Sequence, residues 1–167
     1  GDVYKRQDLN GAYGYNADFR NANLNEADFV GAFLEGANLE GSYLYDANLS
    51  DAYGYNADFS NAELSYADFV GAYLVSANLS YAYGNNTDFS NADLSYVHLD
   101  RSDLSYVDLS YANLSDAELS YADLSNATLI GSNLSGAYGY NADFRNADLN
   151  DADFVGAYLE GANLSDC

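Results

Sequence analysis

Hydrophobic residues recur along the chain at every fifth position. Counting in steps of five from position 4 to position 164 gives 33 positions, and Leu or Phe fills 28 of them. Ala fills 25 of the 33 positions that lie two residues earlier, and the residue in between is mostly Asp or Asn. The pattern keeps a single phase from residue 8 to residue 167. Such a regular repeat predicts a structure built from one small unit.

A five-residue period fits short strands better than a helix. On a helix, five residues rotate by about 140°, so the Leu positions would spiral around the axis and form no apolar face. On a short strand, Ala and Leu point to one side while the Asp or Asn between them points to the other. The two remaining residues are polar or small and suit a corner. We therefore predict a coil of short strands and corners with Ala, Leu and Phe inside.

Tandem units of the form Ala-(Asp/Asn)-Leu-x-x resemble the pentapeptide-repeat family over residues 8–167. The resemblance implies an all-β fold, a right-handed quadrilateral β-helix in which four units form one coil of 20 residues. About eight coils without interrupting loops, stacked at about 4.8 Å, would form a rod roughly 40 Å long. We expect near-zero exposure for one set of side chains, Leu24, Ala62, Leu64 and Leu104, and high exposure for Asp28 and Asp68.

Both ends of the chain depart from the pattern. Residues 1–7 read GDVYKRQ, which resembles a translated sequencing adapter, so we interpret them as a non-native or disordered leader. We interpret residues 8–167 as a single solenoid truncated at both ends, because the chain begins with Gly and stops inside a unit at Cys167. Uncapped ends of a solenoid expose unpaired backbone, so we expect this fragment to self-associate end to end.

The charge excludes several classes of partner. The chain has 26 acidic and five basic residues, for a net charge of −21. Nucleic acids and anionic membranes bind clustered Lys and Arg, so we expect neither as a direct partner. The single Cys and single His exclude an internal disulfide and nearly exclude a Cys/His metal site. The sequence leaves the cellular compartment open, with a cytoplasmic one expected.

Residues with catalytic potential stand apart from one another. His98 falls in an outward polar column, and Cys167 occupies an inward position where the repeat has Ala. The many Ser residues fill corners. We therefore predict no catalytic, cofactor-binding or metal-binding residues, no cofactor, and no enzymatic activity.

Residues 20 apart are expected to stack in columns, and two columns are candidates for interaction. Stacked aromatic residues can add packing between neighbouring strands or form an adhesive patch for a partner. Aligned carboxylates repel one another and favour a basic partner. The candidate aromatic face comprises Tyr13, Tyr15, Phe33, Tyr53, Tyr55 and Tyr73, and the acidic column comprises Asp8, Asp28, Asp68, Asp88, Asp108 and Asp148.

Four central positions carry Gly in place of Leu, and Phe follows each of them one unit later. We expect the Phe ring to fill the space that Gly vacates, because large and small side chains interdigitate in cores. The positions are Gly14, Gly54, Gly84 and Gly139.

Two functions from different classes remain open. The uniform repeat, with no loops and no catalytic set, favours a non-enzymatic structural or protein-interaction module whose partner binds a side of the rod. The alternative is mimicry of DNA, since some pentapeptide-repeat proteins bind DNA gyrase or topoisomerase IV in place of DNA. About 40 Å of duplex carries roughly 24 charges, close to the −21 of this chain.

Overall fold

Parallel backbone bridges organise the computed structural model, which describes residues 7–167. Each bridge joins a residue to the one 20 positions later, and the bridges run at every fifth position from Asp8–Asp28 to Asp143–Asn163. Each strand is thus a single bridged residue between two corners. Within residues 7–167 there is no helix, and so none that could cross a membrane. Apart from Gln7, the predicted leader lies outside the described residues.

Every corner is a tight turn whose third residue has a left-handed backbone conformation. At a representative corner, the N–H of Ala57 donates to the carbonyl of Gly54 at 3.0 Å, and the φ of Asn56 is 55°. A turn with this bond and a positive φ at its third residue is a type II turn. The same conformation recurs at every fifth residue from Gly11 to Asp166. Gly, Asn and Asp accept a positive φ readily, which explains their frequency at this position.

The interior consists of the Ala and Leu or Phe positions. Leu24 is 4% exposed, and Leu64, Leu104 and Ala62 are fully buried, so their predicted burial is confirmed. The aromatic rings Phe59 and Phe69 pack edge to face with centroids 5.7 Å apart. The buried residues form one cluster from Leu24 to Ala147, and partly buried residues between Leu9 and Ala162 pack against it.

The predicted high exposure of Asp28 and Asp68 is wrong, because both are only half-exposed. The Oδ1 atom of Asp68 accepts the backbone N–H of Val70 at 2.9 Å. The equivalent bond from Val30 to Asp28 is 3.4 Å long. This bond draws each carboxylate against its own corner, as in an Asx turn, and shields part of the side chain.

The Gly positions of the core are filled from two directions. A Cβ atom added to Gly54 would lie 2.8 Å from Cδ2 of Leu74, one coil further on, and 3.8 Å from Cε2 of Phe59. The Phe ring is therefore beside the vacated space, as expected, but the Leu of the next coil approaches it more closely. At Gly84 the side chain of Thr87 lies near the vacated space, and Phe89 is not among the nearest contacts.

Candidate interaction surface

The structure places the outward aromatic residues of the N-terminal half in one continuous stack. Tyr13 and Phe33 are 5.0 Å apart between ring centroids, as are Phe33 and Tyr53, and Tyr53 and Tyr73. The planes within these three pairs differ by 5° to 8°. The close, regular spacing follows from backbone bridges that join the same residues, since bridged parallel strands lie about 4.8 Å apart.

Two further tyrosines widen this stack toward the corner. Tyr15 lies 6.0 Å from Phe33, and Tyr55 lies 6.2 Å from Tyr73, between ring centroids. Burial, followed by the neighbouring phenols and carboxylates, raises the pKa of Tyr55 above its ordinary value. All six residues of the aromatic face are therefore brought together on one side of the molecule.

The aromatic face remains accessible although its rings stack. Tyr13 is 79% exposed, Tyr53 36% and Tyr73 39%. Of the outward residues on this half of the face, Glu35 is the single charged one, although the chain as a whole has a net charge of −21. The positions considered are 13, 15, 16, 33, 35, 36, 53, 55, 56, 73, 75 and 76. The surface is thus a nearly neutral aromatic region on an acidic molecule.

The same column continues into the C-terminal half with polar residues. Asn113 donates from Nδ2 to Oδ1 of Asp93 at 3.1 Å and accepts at Oδ1 from Nδ2 of Asn133 at 3.1 Å. Its Oδ1 also accepts the backbone N–H of Ser115 at 3.2 Å. Hydrogen bonds between side chains therefore take the place of ring stacking in this half.

The six residues of the acidic column lie in one line of bridges together with Asn48 and Thr128. Each of the six accepts the backbone N–H two residues later, at 2.8 to 3.4 Å. These bonds hold one oxygen of each carboxylate against its own corner. The sequence analysis missed this local role, although Asp or Asn two residues before a Ser or Val was a usable signal for it.

A second aromatic pair lies near the C-terminus and was not singled out from the sequence. Tyr138 and Tyr158 stack with centroids 4.9 Å apart, and Tyr140 lies edge-on to Tyr121. The pair belongs to residues 137–165, which differ from residues 12–40 at four of 29 positions. Comparing the chain with itself at an offset of 125 residues would have revealed this second copy.

His98 is not isolated, in contrast to the interpretation from sequence. Its Nδ1 atom lies 2.9 Å from Oε2 of Glu118, the next residue of its column. Asp100, two residues after His98, also has a ligand atom within 4.8 Å of these groups. The sequence analysis missed this cluster because it compared His98 only with residues of the same outward column and left out Asp100 at the corner that follows.

A family model described as pentapeptide repeats matches the chain in eight copies. The matched residues are 6–36, 55–83, 85–120, 108–138, 117–154 and 140–166. The chain belongs to the pentapeptide-repeat family. The resemblance inferred from the repeated Ala-(Asp/Asn)-Leu-x-x units is thereby confirmed. Among curated proteins, no sequence matches the chain.

Solved structures of pentapeptide-repeat proteins are similar to this chain. HetL, which is involved in regulating heterocyst differentiation in the cyanobacterium Nostoc sp. strain PCC 7120, is 30% identical. The match covers 96% of this chain and 88% of HetL, with a TM-score of 0.36. QnrB1, a plasmid-mediated fluoroquinolone resistance protein, is 24% identical over 95% of this chain and 89% of its own, with a TM-score of 0.66. A pentapeptide-repeat protein from the thylakoid lumen of Arabidopsis thaliana is 28% identical. The match covers 60% of this chain and 63% of that protein, with a TM-score of 0.45.

The family match and the likeness to QnrB1 imply a right-handed quadrilateral β-helix for this chain. The parallel offset of 20 residues and the four corners within each such offset agree with that architecture. The predicted fold class is therefore supported at the level of the family and of the repeat.

Proposed function

We propose that this pentapeptide-repeat chain is a non-enzymatic interaction module that binds a protein partner through its aromatic face. The partner presents a flat, uncharged and largely apolar surface. One observation carries the proposal: the same outward column holds aromatic rings in its N-terminal half and Asp or Asn in its C-terminal half. Since the coil also forms with Asp and Asn at the equivalent positions of its C-terminal half, folding does not require the rings there.

The chemistry of the face suits a neutral partner. Stacked rings present their edges and hydroxyls in fixed positions, so little side-chain entropy is lost on binding. Tyr is also among the residues enriched at the centres of protein interfaces. Glu35 is the one charge on the face, so a neutral surface can cover it without desolvating a row of carboxylates.

The test is a comparison of two triple variants in affinity capture from a lysate of the source cell. Tyr53, Tyr55 and Tyr73 are replaced by Ser in the first variant. The matched control replaces the second aromatic cluster, Tyr138, Tyr140 and Tyr158, with the same residue. A protein that wild type and the control retain, and that the first variant loses, supports the proposal. Equal retention by all three chains, with their melting curves unchanged, overturns it.

The second candidate function is mimicry of duplex DNA toward gyrase or topoisomerase IV. The line of carboxylates in the acidic column and the net charge of −21 favour it. In each of these Asp residues one oxygen bonds to the corner, which leaves the other to face solvent. A supercoiling assay with purified gyrase separates the two candidates. Inhibition that is lost when Asp68, Asp88 and Asp108 become Asn supports mimicry, and absence of inhibition by wild type rejects it.

A further inference from the structure

Three side chains that depart from the ordinary repeat meet on one side of the rod. His98 and Glu118 occupy the outward column in which the preceding coils have Asp58 and Asn78. Asp100 stands at a corner position where the coil before it has Ser80. His98 is the single histidine of the chain. The single histidine of the chain thus stands beside two carboxylates, which marks this place as chemically distinct within the repeat.

The backbone holds the three groups close together. His98 and Glu118 are bridged residues, and the N–H of Leu99 donates to the carbonyl of Glu118 at 2.7 Å. The His98 Nδ1 atom lies 2.9 Å from Oε2 of Glu118. One nitrogen or oxygen atom from each of the three side chains lies within 4.8 Å of the others. The cluster is accessible, because His98 and Asp100 are half-buried and Glu118 is exposed.

The charge of the cluster is not balanced by the adjacent arginine. The guanidinium of Arg101 lies over the ring of Tyr121, 4.8 Å from its centroid, and forms no ion pair among residues 7–167. The carboxylates of Asp100 and Glu118 therefore share a small volume in which a cation would relieve their repulsion.

We propose that His98, Asp100 and Glu118 form a binding site for a divalent transition-metal ion. Imidazole nitrogen and carboxylate oxygen are both ligands of Zn²⁺, at about 2.0–2.2 Å. The imidazole disfavours Mg²⁺ and Ca²⁺, which bind oxygen ligands. Ligands at those distances around a tetrahedral ion lie about 3.3 Å apart, so side-chain rotations suffice to close the site. The metal binds Nδ1 of His98, which already faces the Glu118 carboxylate.

The experiment titrates the full chain, in a Cys167→Ser background, with Zn²⁺ while the ring resonances of His98 are followed by NMR. Because there is one histidine, these resonances report on this site alone. We expect saturation at one equivalent with a shift of Nδ1, and no displacement by excess Mg²⁺. Three variants introduce residue types that other coils carry in the same columns and should fold: His98→Asn, Asp100→Ser and Glu118→Asn. Isothermal titration calorimetry measures the Zn²⁺ affinity of every chain, because His98→Asn removes the NMR reporter, and we expect each variant to weaken Zn²⁺ binding by at least about tenfold.

The control for diffuse counter-ion binding is Asp28→Asn, which removes one charge and introduces the residue found at position 48 of the same column. Its affinity for Zn²⁺ should match that of the parent chain. The proposal is overturned if His98 resonances do not move at one equivalent of Zn²⁺. It is also overturned if Asp28→Asn weakens binding as much as Asp100→Ser does, since the ion would then respond to total charge.

Discussion

The outward column from Tyr13 to Asp153 joins the side chains of successive coils by ring stacking in its N-terminal half and by hydrogen bonds in its C-terminal half. From Tyr13 to Tyr73 the side chains stack as rings at 5.0 Å, and from Asp93 to Asn133 they are joined by hydrogen bonds of 3.1 Å. The polar residues also bond to their own corners, as the bond from Ser115 to Asn113 shows. A ring has no acceptor for that bond, so the aromatic half gives up a corner hydrogen bond and gains stacking in return.

The interior beneath the two halves differs as well. Under the aromatic half the central positions alternate between Gly and Leu: Gly14, Leu34, Gly54 and Leu74. Under the polar half they are Leu94, Leu114, Leu134 and Phe154. The backbone of the coil therefore accommodates large changes of side chain at both its outward and its inward positions. A surface column can therefore serve binding without altering the coil that carries it.

The largest expected effect concerns the interior beneath the stack. Gly54→Leu should destabilise the chain by about 1–3 kcal/mol, because even a Cβ atom there would lie 2.8 Å from Cδ2 of Leu74. Thermal unfolding followed by circular dichroism measures the change. Adding Leu74→Ala to Gly54→Leu should recover part of the loss by removing the clashing atom. A neutral or stabilising Gly54→Leu would show that the small residue is not needed for packing.

The next effect concerns the polar half of the column. Asn113→Ala should destabilise the chain by about 2 kcal/mol, since it removes three hydrogen bonds of a half-buried side chain. Asn113→Asp is the control: it keeps the acceptor for Ser115 but loses the donor to Asp93 and repels that carboxylate. In urea denaturation it should therefore lie closer to wild type at high ionic strength, where salt screens the repulsion, than at low ionic strength. Equal stability of Asn113→Ala and wild type would mean that the polar column adds nothing to the fold.

A smaller effect is expected from exchanging one chemistry for the other. Tyr53→Asn should destabilise by about 1 kcal/mol, because it loses two stacking contacts and gains one corner hydrogen bond to the N–H of Tyr55. Tyr158→Asn, which removes a single stacking contact in the second copy, is the matched control and should cost less. If Tyr53→Asn stabilises the chain, stacking gives no net advantage over the Asx turn, and a binding role for the rings gains support.

The smallest effect is a change in the titration of Tyr55. Burial raises its pKa in the folded chain, and Tyr73→Ser uncovers its ring, so the pKa should fall toward the ordinary value of about 10. Because the pKa of Tyr55 is higher in the folded chain than in the unfolded chain, its contribution to stability is fully present below the unfolded pKa. This contribution is lost as pH rises through the folded pKa. NMR titration of labelled tyrosine, with Tyr55→Phe to assign the signal, measures the shift. An unchanged pKa would mean that Tyr73 does not shield Tyr55.

The repeat predicted most of the fold because the place of a residue within its five-residue unit determines whether its side chain lies inside or outside the coil. Once five residues form a side, Leu64 must be inside and Asp68 outside, and residues 20 apart must meet. The pattern did not predict the half-burial of Asp68, which depends on a bond to Val70 that spans only two residues. It also assigned the filling of the Gly54 space to Phe59, whereas Leu74 of the next coil is nearer.

The candidate sites were less predictable because they depend on contacts between columns. The aromatic face could be anticipated, since four of its members share one column and the other two share the next. The cluster of His98, Asp100 and Glu118 could not be found by examining one column at a time, because Asp100 belongs to the adjacent corner. The available signal was a group of residues that differ from the consensus at adjoining positions. It becomes visible only when the columns are laid out side by side at the 20-residue offset.

The offset of 20 residues between bridged positions also has a consequence for how such a chain grows by gene duplication. A copied segment keeps the coil intact if its displacement is a multiple of five residues. Its residues lie on the same side of the coil as the original ones only if the displacement is a multiple of 20. Residues 137–165 repeat residues 12–40 at a displacement of 125, which is six coils and one unit. The duplicated surface therefore points a quarter turn away from its parent. Inheritance of a binding surface by copying thus depends on the length of DNA copied as much as on its sequence.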